Sequence, residues 1–351
     1  MFGSFDSKKF DIAISHRNWK RAISEAFYIL SCASPGDVIC ITGPSRAGKS
    51  SLILKLIEML FGNHCYEDTG TMPAVVVRAI NAGNNGAFST KAFTLRALEA
   101  VKHPLFSIQG ENLEDFLAMQ KMDRSTEATM RIALEKAFEA RKTRFLFIDE
   151  AQHVKYVGGD VQAAFAVLDS WKCLAESVGL VLVVVGAYPV VDIVARSPHL
   201  VGRKHQIHFP RYQATEKDIS SFAELLATYS DIVDLDDSMS SLVDAAELMY
   251  EGSMGCIGLL KAWLKRADAI AKIDGKPIDA GLLRETRLTD LDLKSIKAEI
   301  LSGERSLIKS SISSARSNER KEPHSPPKNK SKPFQRKPTR ETAGNRVGSQ
   351  K

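Results

Sequence analysis

The 351-residue chain is long enough for a large core plus a smaller second unit, and with 44% hydrophobic and 26% charged residues it cannot be disordered over most of its length. Its formal charge of +6 is unevenly placed: Arg316 to Lys351 carry eleven Lys or Arg against three carboxylates, a net +8, which leaves residues 1–315 at −2. A uniformly basic body is excluded, so any anion-binding surface there arises from local placement.

Residues 17–33 put Trp19, Ala22, Ile23, Ala26, Phe27 and Leu30 at helical spacing, which predicts an amphipathic helix stopped by Pro35-Gly36. Asp37 to Thr42 reads as a short apolar strand, followed by a Gly-rich turn and a helix from Lys49 to Phe61. Pro73 to Ile80 is a second β-branched run, helices fill 89–102 and 125–142, and Arg144 to Asp149 makes a third strand. A helix at about 160–178 leads to a strand over Leu180 to Gly186. After a short helix, Lys204 to Phe209 reads as a fifth strand. Strands alternating with helices predict an α/β fold with a parallel sheet covered on both faces.

From Thr215 the strands stop, and helices near 215–229, 238–251, 256–272 and 290–302 predict a small α-helical lid. Beyond Gly303, Ser, Lys, Arg and Pro dominate, the composition of a disordered basic tail. The expected division is an N-terminal segment and helix (1–34), an α/β core (35–212), the lid (213–303) and the tail (304–351).

Five widely spaced cysteines without a C-x-x-C pair argue against a disulfide frame or zinc site. The histidines show no metal spacing, since His205 and His208 fall on opposite faces of one strand. The apolar stretch Val178 to Val191 is shorter than the roughly 18 residues of a membrane helix and contains Pro189. With no apolar export signal at the N-terminus, the expectation is a cytoplasmic protein without a membrane partner.

Gly43-Pro44-Ser45-Arg46-Ala47-Gly48-Lys49-Ser50 matches G-x-x-x-x-G-K-[ST] in full, between a predicted strand and a predicted helix. In that pattern backbone amides and a helix N-terminus wrap phosphate oxygens, Lys49 reaches the β- and γ-phosphates and Ser50 sits on Mg²⁺. The strand Phe145-Leu-Phe-Ile ends in Asp149 and Glu150, an acid for the metal shell and a neighbour that polarises water. The expected cofactors are therefore ATP and Mg²⁺. A strand inserted between the two motif strands, with a carboxylate after the metal-binding Asp, favours an additional-strand ATPase over a small-molecule kinase.

These features, with GPSRAGKSS (through Ser51), FLFIDEAQHV, LVLVVVGAYPVVD, SPHLVGRKHQIHFPRY and EGSMGCIGLLKAWLKRA, resemble AAA+ ATPases and more narrowly the TnsC/TniB transposition regulators, related to phage Mu protein B. The resemblance spans roughly Arg17 to Lys272. It implies an ATPase that oligomerises as a ring or filament on duplex DNA in its ATP state and links a target-selection protein to a transposase. It also implies that Gln152 relays the γ-phosphate state and that Arg203 is the arginine finger given to the next protomer, with Arg196 the competing choice. Lys91, Arg96 and Lys102 fall on the segment resembling the DNA-facing part of that family, where a solvated basic face is the alternative. Two departures stand out: Gly186-Ala187 replaces a usual polar sensor, and Gly255-Cys-Ile-Gly258 lacks the second-sensor Arg, leaving Lys261 one turn later as a substitute. Rival readings are a secretion- or defence-associated AAA+ protein acting on a protein partner and a nucleotide-binding scaffold without turnover.

Overall fold

The computed structural model describes residues 7–10, 16–62, 66–81, 86–106, 125–158, 161–195 and 204–319. Residues to Ser310 form one compact unit and those from Ser311 another. The sheet and the helical lid both belong to the first.

Five short strands, β1 (Val38–Thr42), β2 (Ala74–Arg78), β3 (Phe145–Asp149), β4 (Val181–Gly186) and β5 (Lys204–His208), lie in the order β2-β3-β4-β1-β5. All four pairings are parallel. β1, β3 and β4 are buried throughout, as their unbroken runs of β-branched and aromatic residues require in a sheet covered on both sides. The strand that separates β1 from β3 is β4, which follows both in the chain; β2, the strand that intervenes in sequence and is expected at that place, lies instead at the edge of the sheet beside β3.

Alternation along each strand fills two apolar layers. Ile39, Ile41, Phe145, Phe147, Val183 and Ile207 face α1 (Arg17–Cys32) and α2 (Lys49–Phe61). Val38, Cys40, Val77, Ile148, Leu182 and Val184 face the other way, in a layer shared with α4 (Thr90–Ala100), α5 (Glu127–Arg141), α6 (Val161–Val178) and α7 (Pro189–Ala195). A four-residue helix, α3 (Tyr66–Thr69), precedes β2. Each fully buried large side chain contributes roughly 1.5–3 kcal/mol, so these layers fix where the strand ends lie.

The lid comprises α8 (Glu216–Ser230), a 3-10 turn (Leu242–Ala245), α9 (Ala246–Ser253), α10 (Ile257–Asp274) and α11 (Ala280–Thr286). It has its own core, with Phe222, Leu226, Tyr229, Leu260, Trp263 and Leu264 at its centre. The buried Trp263 indole donates to the Leu283 carbonyl and to Thr286 Oγ1, each at 3.1 Å. An unforeseen guest sits there too: Phe10, from the turn Ser7–Phe10, is 1% exposed within the lid core, and Lys9 Nζ lies 2.5 Å from the buried Asp268. The turn Ser7–Phe10 thus belongs physically to the lid, whereas α1 belongs to the sheet.

The final helix, α12 (Asp290–Glu319), continues well past its expected end at 302. Ile300 and Leu307, one heptad apart, pack in a cluster with Tyr188, Cys256 and Leu259, so the apolar face continues past residue 302. Residues 320–351 lie outside the described residues. Among the described residues no helix is long and apolar enough to cross a membrane.

Candidate functional site

The site forms where β1, β3 and β4 end together. β1 delivers Thr42 to the C-terminal edge of the sheet, and Gln206 Nε2 on β5 donates to its hydroxyl at 2.8 Å. The next residue, Gly43, passes so close to the Phe209 carbonyl that a Cβ would collide with it, so only glycine fits. Gly48, with φ +98°, ends the loop and starts α2, in a conformation that side chains rarely adopt. Arg46 takes φ +61° between them without being glycine. The first turn of α2 carries no acidic residue and no side-chain cap, which leaves its amides and positive dipole end for an anion.

Lys49 is 8% exposed, and its Nζ donates to the carbonyls of Pro44 (2.8 Å) and Gly43 (3.2 Å). Burial pushes its pKa below the usual lysine value, opposed by the nearby carboxylates of Glu150, Asp149 and Glu299. A buried ammonium held by loop carbonyls beside carboxylates is placed to take an anionic phosphate as a further partner. Across the cleft, Ser50 Oγ donates to Asp149 Oδ2 at 2.7 Å, and the Glu150 amide donates to Asp149 Oδ1 at 2.9 Å. Asp149 is 2% exposed, so both its oxygens are fixed by two neighbouring partners. The hydroxyl and the carboxylate fit a hard cation that keeps part of its water and takes phosphate oxygens. The sequence pairing of Ser50 with Asp149 is thus met in space across 99 residues.

Glu150 follows with φ +57°, a conformation uncommon outside glycine that holds its side chain half-exposed at the cleft. Gln152 Nε2 donates to Glu150 Oε2, while Gln152 Oε1 accepts from the Ala187 amide at 3.0 Å. That amide lies at the end of β4, where the sequence lacks a polar sensor. A Cβ on Gly186 would stand 2.5 Å from Gln152 Oε1, so the small residue at the sensor position makes room for an amide arriving from β3. His153 Nε2 lies 3.9 Å from Glu150 Oε2, and His153 Nδ1 is buried without a hydrogen-bond partner.

The segment Gly255 to Gly258, which lacks the arginine that the resemblance implies for a second sensor, is also sterically tight at its last residue. A Cβ on Gly258, in the first turn of α10, would collide with the Arg46 carbonyl, so the lid helix abuts the phosphate loop backbone to backbone. Lys261 sits half-buried one turn further on. α12 reaches the same loop: Ser45 Oγ donates to Glu299 Oε1 at 3.2 Å, a contact with no local signature in the sequence.

Arg203 and Arg196 lie outside the described residues. The three basic residues on and after α4 are brought together only loosely. Arg96 Nη1 donates to the Ile80 carbonyl at 2.8 Å. Lys102 pairs with Glu67 and lies 4.6 Å from the Tyr66 ring centre. Lys91 is in the first turn of α4. Among the described residues no group of three or more His, Cys, Asp or Glu could hold a metal ion, and Cys32, Cys40, Cys173 and Cys256 are free thiols.

Residues 33–194 match the AAA domain family. The five-stranded parallel sheet of the whole chain, with its C-terminal helices, has the α/β fold of AAA+ P-loop NTPases, and three solved structures share it. The ORC2 protein of Aeropyrum pernix, solved in ADPNP–ADP complexes, aligns over 80% of this chain and 71% of its own, at TM-score 0.51 and 16% identity. A Walker-type ATPase of Pyrococcus abyssi aligns over 88% and 80%, at 0.50 and 14%. Cdc6p of Pyrobaculum aerophilum aligns over 77% and 67%, at 0.50 and 15%. Comparison with the sequences of curated proteins finds no match.

Proposed function

We propose that the protein is an ATP-hydrolysing regulator of transposition that assembles on duplex DNA in its ATP state, recruits a target-selection protein and a transposase, and disassembles on hydrolysis. The observation that carries the catalytic part is the 2.7 Å bond between Ser50 and Asp149, with Lys49 on one side and Glu150 on the other. Bound Mg·ATP supplies the scissile phosphoanhydride and the metal's neutralising charge. The loop amides from Gly43 to Ser51 and the Lys49 ammonium hold the phosphates, and Ser50 and Asp149 hold the metal. Glu150 orients a water and takes its proton at a carboxylate oxygen. Gln152 ties that carboxylate to the end of β4, so a shift there reaches the base directly. Lys261, one turn beyond Gly258 on α10, is the candidate second sensor.

The relative from Aeropyrum pernix, solved with ADPNP and ADP, supports nucleotide binding in this fold. Arg203, or else Arg196, completes the site of a neighbouring protomer and makes turnover depend on assembly. The DNA and transposition part rests on the ordered set of sequence segments and on the basic C-terminal stretch, with Lys91, Arg96 and Lys102 as further contacts. The internal partners of Arg96 and Lys102 favour the rival of an AAA+ ATPase in a secretion or defence system whose client is a protein. Retention of fluorescent duplex DNA at physiological salt separates the two. Transposition control predicts retention with Mg·ATP and release with ADP, whereas nucleotide-independent or absent retention rejects it.

A further inference from the structure

α12 leaves the lid and returns over the phosphate loop, touching four parts of the site within two turns. Glu299 accepts from Ser45 Oγ. Ile300, 3% exposed, packs with Tyr188, Cys256 and Leu259, so it bridges the end of β4 and the start of α10. Gly303 lies so tightly on the Tyr188 ring that a Cβ would overlap it. Glu304 accepts twice from Arg211, at 2.9 and 3.3 Å, and Arg211 also donates to the Met254 carbonyl, so the same side chain ties the region after β5 to the lid.

The chemistry at the first contact opposes the ligand. Ser45 belongs to the loop that receives phosphate oxygens, and the Glu299 carboxylate is close enough to be among the charges acting on Lys49. A triphosphate brings more negative charge to that loop than a diphosphate, so a fixed carboxylate there repels the triphosphate more strongly. Docking of α12 and occupation by a triphosphate therefore oppose each other, and the coupling is reciprocal.

We propose that α12 is a built-in brake, held on the phosphate loop through Glu299 and Gly303, that lowers triphosphate affinity and is lifted by ATP but not by ADP. This rests on the reading of the loop as an ATP site. Any partner that captures the released helix would read the nucleotide state without entering the cleft.

The test uses the full chain. Titration of wild type, Glu299→Gln and Gly303→Ala with the slowly hydrolysed analogue Mg·ATPγS and with Mg·ADP is combined with amide hydrogen exchange over residues 296–308. Both variants are expected to bind Mg·ATPγS about tenfold more tightly, equivalent to removal of one unfavourable charge contact, with a smaller change for ADP. Exchange over 296–308 in wild type is expected to rise about tenfold with Mg·ATPγS and to stay level with ADP. The neutral Gln keeps the hydrogen bond to Ser45, and Gly303→Ala acts as a wedge without touching charge. Affinity in Glu299→Gln that is unchanged or weaker, or exchange that slows with Mg·ATPγS, overturns the brake. Failure of wild type to bind either nucleotide would instead reject the site itself.

Discussion

Lys49 illustrates how a single buried charge shapes this molecule. Held by two loop carbonyls and with a depressed pKa, it is costly until phosphate arrives, so Lys49→Ala should weaken Mg·ATP binding by about a hundredfold or more in calorimetry. Glu150→Gln should retain binding and lose about a hundredfold in phosphate release, because the carboxamide cannot take the proton from water. Gly186→Ala is the sharper probe of the Gln152 bridge. Its methyl group would press on Gln152 Oε1 and on Val190, which should cost about 1–3 kcal/mol of stability and slow turnover while leaving nucleotide affinity nearly intact. His16 gives a pH signature at the same scale. It caps α1 through Nδ1, bonds Tyr212, and burial lowers its pKa from the usual 6.5 to about 4. The unfolded chain therefore takes up a proton over that window when the folded one does not, and stability falls as pH drops from 6.5 to 4. Thermal unfolding across this range should show a smaller loss for His16→Asn, which keeps a cap.

Among the elements, the strands and the first helices were legible because their residues obey simple rules. Unbroken β-branched runs end at turns, and the helix after a phosphate loop begins at its Lys. α2 occupies Lys49–Phe61, the predicted range, and β1, β3, β4 and β5 fall within a residue of the expected strands, whereas β2 loses one residue at its start and two at its end. The seven-residue α11 and the turn at Leu242–Ala245 carry too few apolar positions to announce themselves, and the Ser-rich end of α12 conceals two anchor residues seven apart. For the site, local motifs exposed Gly43 to Ser51, Asp149 and Glu150. Contacts joining Gln152 to Ala187 and Ser45 to Glu299 depend on which strands become neighbours and where the last helix returns, and no local pattern encodes either. The sequence marks Gly255 to Gly258 only as a segment without an arginine, while the fold shows that Gly258 has no room for one. Gly258→Arg should therefore separate α10 from the loop instead of restoring a sensor, lowering the unfolding midpoint by the equivalent of about 2 kcal/mol or more and weakening nucleotide binding.

At the scale of the whole molecule, charge and assembly are separable. Truncation after Glu319 removes ten basic and two acidic residues and takes the formal charge from +6 to −2. DNA retention by the truncated chain should be weaker with a shallower salt dependence, because fewer counterions are released on binding. Its ATP hydrolysis without DNA should match that of the full chain, since the site lies wholly before that point. Equal retention and equal salt slope in both would place the DNA contacts elsewhere.

Gly43 and the Phe209 carbonyl meet with no side chain to cushion them. A joint of this kind has no slack. A displacement of Phe209, just past the end of β5, would therefore press directly on the loop at Gly43, and the reverse. Sites linked by side chains can yield by changing rotamers, but where backbone rests on backbone that relief is missing.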